Sequence, residues 1–234
     1  MLVEQLQYRL QHQYDLAIPY QVEHFVSHDA TLARQLAEGS LTTDSTPGSP
    51  ARESAESIAS ETVFISQTDN SLEFTVYLDQ DVVQSASGNA QTDVPGTSRN
   101  RSMPTLDSLC TVVEGVSHAV CLLWHAHHDR QLRALDLELQ AEVDKYLVLL
   151  DFCLDEDSRS RLHRQLFANA RFTAPVDSEL YRRYKAASDS AATYCNWLFQ
   201  EFPGPAGRTG LRQELARFYR LSGSAKFDRI KKLH

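Results

Sequence analysis

The sequence predicts an α+β fold, mostly α: a helical bundle core with an N-terminal helix pair and a β-hairpin packed on it. Three observations predict it. From Pro104 onward, apolar residues recur at the 3.6-residue period of amphipathic helices, segment after segment. Between 62 and 79, one run alternates apolar and polar side chains, the period of a half-buried strand. Hydrophobic residues are 42% and charged residues 23% of the 234, which supports a sizeable core and excludes wholesale disorder.

The elements follow in order. Residues 2–16 place Val3, Leu6, Leu10 and Tyr14 at helical spacing, and Pro19 lies beyond the stop. A short helix is expected at 29–38, with Ser27 or Asp29 as its cap and Gly39 as its end. Residues 40–60, rich in Ser, Thr, Pro and Ala, read as a polar flexible loop. Val63–Ser66 and 72–78 read as two strands joined through Thr68-Asp69-Asn70-Ser71, a run of turn formers. Residues 84–103 read as a second polar flexible loop. Helices are then expected at 105–129, 133–153, 157–170 and 178–201. Residues 203–210 (PGPAGRTG) break the pattern, and a last helix covers 211–221 before a frayed basic tail. The division this suggests is 1–103, with the N-terminal helices and hairpin, and 104–234, the bundle with its tail.

Charge and cysteine narrow the function classes. A net charge of −8 disfavours nucleic acid as a partner, leaving the basic C-terminal tail as the one place for it. No uninterrupted apolar run reaches the ~18 residues of a membrane helix, so no membrane span is expected. The opening segment carries Glu4 and lacks an apolar core, so it does not read as a signal peptide, and a cytoplasmic location is expected. Cys110, Cys121, Cys153 and Cys195 form no CxxC pair, which removes zinc-ribbon and thioredoxin-like motifs and leaves buried, reduced thiols. Neither a Gly-x-Ser-x-Gly elbow nor a Gly-x-Gly-x-x-Gly turn occurs.

One helix carries the chemistry-bearing residues. Stepped at about 100° per residue, 106–129 puts Leu109, Val112, Val113, Val116, Val120 and Leu123 on a broad core face. Cys110, Glu114, His118, Cys121, His125 and His128 gather on another. All are residue types that bind transition metals or move protons. In the next helix Glu138 and Glu142 are four apart, hence one above the other. An antiparallel pairing about residue 131 sets Cys121 and His125 near 137–141, and His118 near 144. Glu114, His118, His125, Glu138 and Glu142 are therefore the candidate ligands for a divalent transition metal, in the manner of metal-carboxylate bundles. The Glu-x-x-His spacing of the di-metal members is absent, as Glu114 and His118 are four apart. The competing reading is a structural polar network in which Glu138 and Glu142 pair with Arg133, Lys145 or arginines of a later helix.

The tail offers a second candidate. Arg212, Arg217, Arg220, Lys226 and Arg229, interleaved with Phe218, Tyr219 and Phe227, are the candidate anion or partner contacts. In an acidic chain the same charges also suit docking on its own body. His163, beside Arg161 and Arg164, reads as a surface residue. Two functions stay open: a non-enzymatic interaction or regulatory module with a protein partner, and a metal-binding enzyme, a hydrolase or di-iron-type oxidase, with its Glu/His site between two antiparallel helices.

Overall fold

The computed structural model describes residues 1–42, 59–67, 72–88, 105–170, 172, 174–204 and 207–233. Over these the fold is α+β and mostly helical, as expected. The polar segments 40–60 and 84–103 and the turn 68–71 lie largely outside the described residues.

Helix α1 (Leu2–Tyr14) ends at Asp15, which takes the left-handed conformation at φ 54°. A 3-10 turn (Val22–Phe25) leads into β1 (Val26–Ser27), a strand the sequence reading did not contain. Asp29 is the cap of α2 (Ala30–Thr42), its Oδ1 accepting from the amides of Thr31 and Leu32 at 2.8 and 3.2 Å. Gly39 does not stop α2, because one glycine costs a helix only about 1 kcal/mol. Strands β2 (Glu61–Gln67) and β3 (Leu72–Leu78) pair antiparallel, Glu61 opposite Leu78, and β1 adds parallel on the other side of β3. The second polar loop begins later than expected. Asp79 caps a short helix α3 (Gln80–Ala86) by accepting from Asp81 and Val82 amides, and a two-turn helix needs little more than that cap and buried Ala86.

The bundle comprises α4 (Leu106–His127), α5 (Ala134–Leu149), α6 (Glu156–His163), α7 (Glu179–Glu201), α8 (Arg208–Arg220) and α9 (Ser224–Lys231). Side chains set three of the starts: Thr105, Asp155 and Ser178 accept amide hydrogen bonds at the first turns of α4, α6 and α7. After α6 the backbone continues as a π-helical turn, Arg164–Ala168. The frayed tail is corrected to a folded helix: in α9, Ile230 is buried, as is Lys226, which is 1% exposed. Burial explains this: Ile230 joins the core cluster, and the Lys226 ammonium lies over the Phe218 and Tyr219 rings at 5.3 and 5.5 Å.

Helix α4 lies at the centre. It packs on α1, α3, α5 and the sheet, and α5 packs on α4 and α7. Among the described residues α4 alone is long and apolar enough, by length and composition, to cross a membrane, with a mean hydropathy of 1.4, but 67% of that window is buried inside the fold. The described residues therefore hold no clear membrane span. Gly115 permits the sheet to approach. A Cβ there would stand 2.7 Å from Leu78 Cδ2, closer than real side chains come, and 3.2 Å from Glu61 Cγ, a tight contact. That contact sets Glu61 against the polar stripe of α4.

Candidate metal centre between α4 and α5

The antiparallel pairing of α4 and α5 is present: Ser117 hydrogen-bonds Asp144, Glu114 meets Lys145, and His118 meets Glu138. The sequence reading set His118 near 144. Its actual partner lies on α5 nearer the connection, about a turn and a half away. One ligand atom each from Glu114, His118 and Glu138 lies within 4.8 Å of the others. His118 is 4% exposed and held from two sides. Its Nδ1 is 3.0 Å from Glu61 Oε1, and its Nε2 is 3.7 Å from Glu138 Oε2. Nε2 has no hydrogen-bond partner although it is buried.

The charges around it are unusually dense. Lys145 Nζ donates to Glu114 Oε2 at 3.0 Å and to Glu142 Oε1 at 2.8 Å. Arg183 Nε lies 3.6 Å from Glu138 Oε1. Burial alone pulls the His118 imidazolium down. The Glu61 charge, the nearby Glu138 carboxylate, the hydrogen bond to Glu61 and the Glu114 charge override it and lift His118 to about 10. Burial likewise lifts Glu114, but the Lys145 and His118 charges carry it below the ordinary carboxylate range. Glu61 and Glu142 stay above that range because burial outweighs the cations beside them.

Three of the five candidate ligands are thus brought together. Glu142 is drawn aside to Lys145, the first of the pairings a structural network would use, and Glu138 takes the second, an arginine from a later helix. His125 is not part of the cluster. It sits seven residues past His118, about 10 Å along the helix axis. Its Nδ1 donates to the Cys121 carbonyl at 2.9 Å, and burial pushes its pKa down to about 4. Cys121 and Cys110 are thiols that burial pushes up to about 12, and all four cysteines are free. The sequence reading missed Glu61, which it left at the edge of a polar loop. Gly115 was the available signal, since a glycine inside an amphipathic helix marks a close approach.

The tail candidates are not gathered into a contact patch. Arg220 donates to the carbonyls of Tyr14 and Asp15 at 3.0 and 2.6 Å, and Arg229 to Glu214 at 3.1 Å. Lys226 is buried against Gln140 at 2.8 Å, and Arg212 lies 3.8 Å from Asp15. Of these five, Arg217 is the one that is exposed without an ion-pair partner among the described residues. The docking on its own body is what the basic residues do, because the acidic chain supplies the partners. His163 is corrected too: its Nε2 lies 3.0 Å from the Ala192 carbonyl oxygen, and its ring packs between Tyr146 and Phe167.

The carboxylate cluster forms part of the wall of a cleft of about 1290 Å³, lined there by Glu61, Glu114, Glu142 and Lys145. His118 and Glu138 lie behind that wall. Set against protein-family models, curated proteins and solved structures, the chain matches none.

Proposed function

We propose that this protein is a cytoplasmic, metal-dependent hydrolase whose single divalent transition ion is held by Glu114, His118 and Glu138. The observation that carries the reading is His118, whose buried Nε2 has no hydrogen-bond partner, stands 3.7 Å from Glu138 Oε2, and belongs to a side chain with a ligand atom within 4.8 Å of both Glu114 and Glu138. Its other nitrogen donates to Glu61, the arrangement by which an outer carboxylate fixes a metal-binding imidazole in the required tautomer. Charge supports it as well. Four carboxylates, Glu61, Glu114, Glu138 and Glu142, face two permanent cations, Lys145 and Arg183. With His118 protonated the surplus is one negative charge; loss of that proton to solvent on metal binding makes it two, the complement of a divalent ion. Ligands about 2.0–2.2 Å from an ion stand about 3–4 Å apart, so the three donors draw inward by under an ångström or so on binding.

Three protein ligands would leave coordination positions open, and an ion held there would activate water or polarise a substrate oxygen; of the three, Glu114 lines the cleft. A single ion is favoured over the di-iron variant because Lys145 Nζ already pairs with both Glu114 and Glu142. The interaction-module reading leaned on the basic tail, and most of that charge is used within the chain. Free thiols throughout fit a reducing compartment.

The test is metal analysis of untagged protein together with titration of Mn²⁺ into wild type, His118→Ala, Glu138→Gln and the double variant. One bound equivalent is expected, with non-additive losses in the double variant and a weakening of about 10–100-fold in Glu61→Gln. Coupling between His118 and Glu138 in thermal melting alone, with no bound metal in any variant, would leave an ionic network and end the hydrolase reading.

A further inference from the structure

We propose that the cleft binds a phosphorylated small molecule, with Arg161 and Arg164 as its phosphate anchor; as a statement of substrate class, this rests on the metal reading above. Both arginines line the same cleft as Glu61 and Glu114. They stand three apart, one at the end of α6 and one opening the π-helical turn, so both fall on one face. Both are exposed, and neither has a carboxylate within 4.0 Å among the described residues. Their charge is thus free for a ligand, unlike that of Arg220 and Arg229, which have each found an acceptor within the chain.

The surroundings match an oxyanion. The side-chain amides of Gln165 and Asn169 line the cleft beside the two guanidinium groups. Paired guanidiniums recognise phosphate through parallel N–H donors, which a lysine point charge does not reproduce. The π-helical turn widens the backbone here, and such turns recur at functional sites. Phe172 and Tyr184, with ring centroids 6.2 Å apart and nearly parallel, complete the wall with an apolar surface for the organic part of the ligand. A cleft of about 1290 Å³ accommodates a metabolite that spans from the arginines to the carboxylate wall. One wall therefore attracts the anion, and another concentrates the charge that a divalent ion would complement.

The experiment is calorimetric titration of inorganic phosphate into the full chain, with a separate titration of Mn²⁺. The proteins are wild type, Arg161→Ala/Arg164→Ala, Arg161→Lys/Arg164→Lys, and Arg182→Ala as an exposed arginine outside the cleft. Phosphate affinity should fall at least tenfold in the alanine pair, fall less in the lysine pair, and stay within twofold in Arg182→Ala. Mn²⁺ affinity should be unchanged in all. Phosphate binding that is absent in wild type, equal in the alanine pair, or equally reduced in Arg182→Ala overturns the anchor. Loss in the alanine pair with no Mn²⁺ binding anywhere supports the anchor and ends the metal reading alone.

Discussion

Replacing Asp144 by asparagine should remove a specific part of the protein's pH dependence. Asp144 is 1% exposed and sits where four helices meet. Its Oδ1 accepts from the Tyr14 hydroxyl and from Gln140 Nε2 at 3.0 Å, and its Oδ2 from Ser117 Oγ at 2.6 Å. Lys226 reaches it through Gln140. Burial pushes the carboxyl up; the hydrogen bonds from Ser117, Tyr14 and Gln140 and the Lys226 charge pull it back, and it rests at about 6 against an ordinary 3.8. A folded-state pKa above the unfolded value means that between those values the folded protein holds a proton the unfolded chain has lost. Stability contributed by this group therefore falls as pH rises from 4 to 6 and is level on either side. A displacement of about two units corresponds to about 3 kcal/mol. Asparagine retains an acceptor for Tyr14 and Gln140, and its amide can donate to Ser117 once that hydroxyl turns. Urea unfolding of both proteins from pH 4 to 7.5 gives the difference curve, in which other titrating groups cancel. Wild type should lose about 3 kcal/mol relative to Asp144→Asn across that range. A flat difference curve, or one of opposite slope, would refute the balance of burial over hydrogen bonding assigned to this carboxyl.

Two further outcomes follow from packing. Gly115→Ala gains about 1 kcal/mol of helix propensity but forces its methyl within 2.7 Å of Leu78 and 3.2 Å of Glu61, an overpacking cost of about 1–3 kcal/mol. Net destabilisation of up to about 2 kcal/mol and weaker Mn²⁺ binding are expected; a higher Tm with unaltered Mn²⁺ affinity would show that the sheet does not press on α4. Deleting 222–234 removes buried Ile230 from the core and Lys226 from Phe218 and Tyr219, which at about 2–3 kcal/mol lowers Tm by roughly 5–10 °C. An unchanged circular-dichroism melt would return that segment to the frayed tail the sequence suggested.

Periodicity made the long helices legible, because each of them buries one continuous stripe. It could not reveal β1, two residues long and defined by pairing with β3 rather than by any pattern of its own. Helix α9 was obscured by its charge: Lys226 and Arg229 look like solvated residues until Gln140 and Glu214 are found opposite them. At the site, one-turn spacing was enough to select Glu114, His118 and Glu138. Helical stepping also admitted His125, since a stripe on a wheel says nothing of distance along the axis. Glu61 comes from a different element altogether, and only the space left by Gly115 connects it to the others.

Helix α5 is buried nearly all round, yet it carries Asp136, Glu138, Gln140, Asp144 and Lys145. Between them they are answered from several sides. Asp136 takes Arg133 and the Gly223 amide; Glu138 faces α4 and α7; Gln140 meets α9; Asp144 meets α1 and α4; and Lys145 meets α4. The pattern works as a key. A slide of α5 by one turn would misalign several of these pairs at once and strand charges away from water, so neighbouring registers are closed to it. Detaching any one flanking helix also leaves a polar group of α5 unanswered, which ties local opening to global unfolding. The amides of α5 should then exchange with solvent only when the whole molecule unfolds, making this least amphipathic of the long helices the one that enforces all-or-none behaviour.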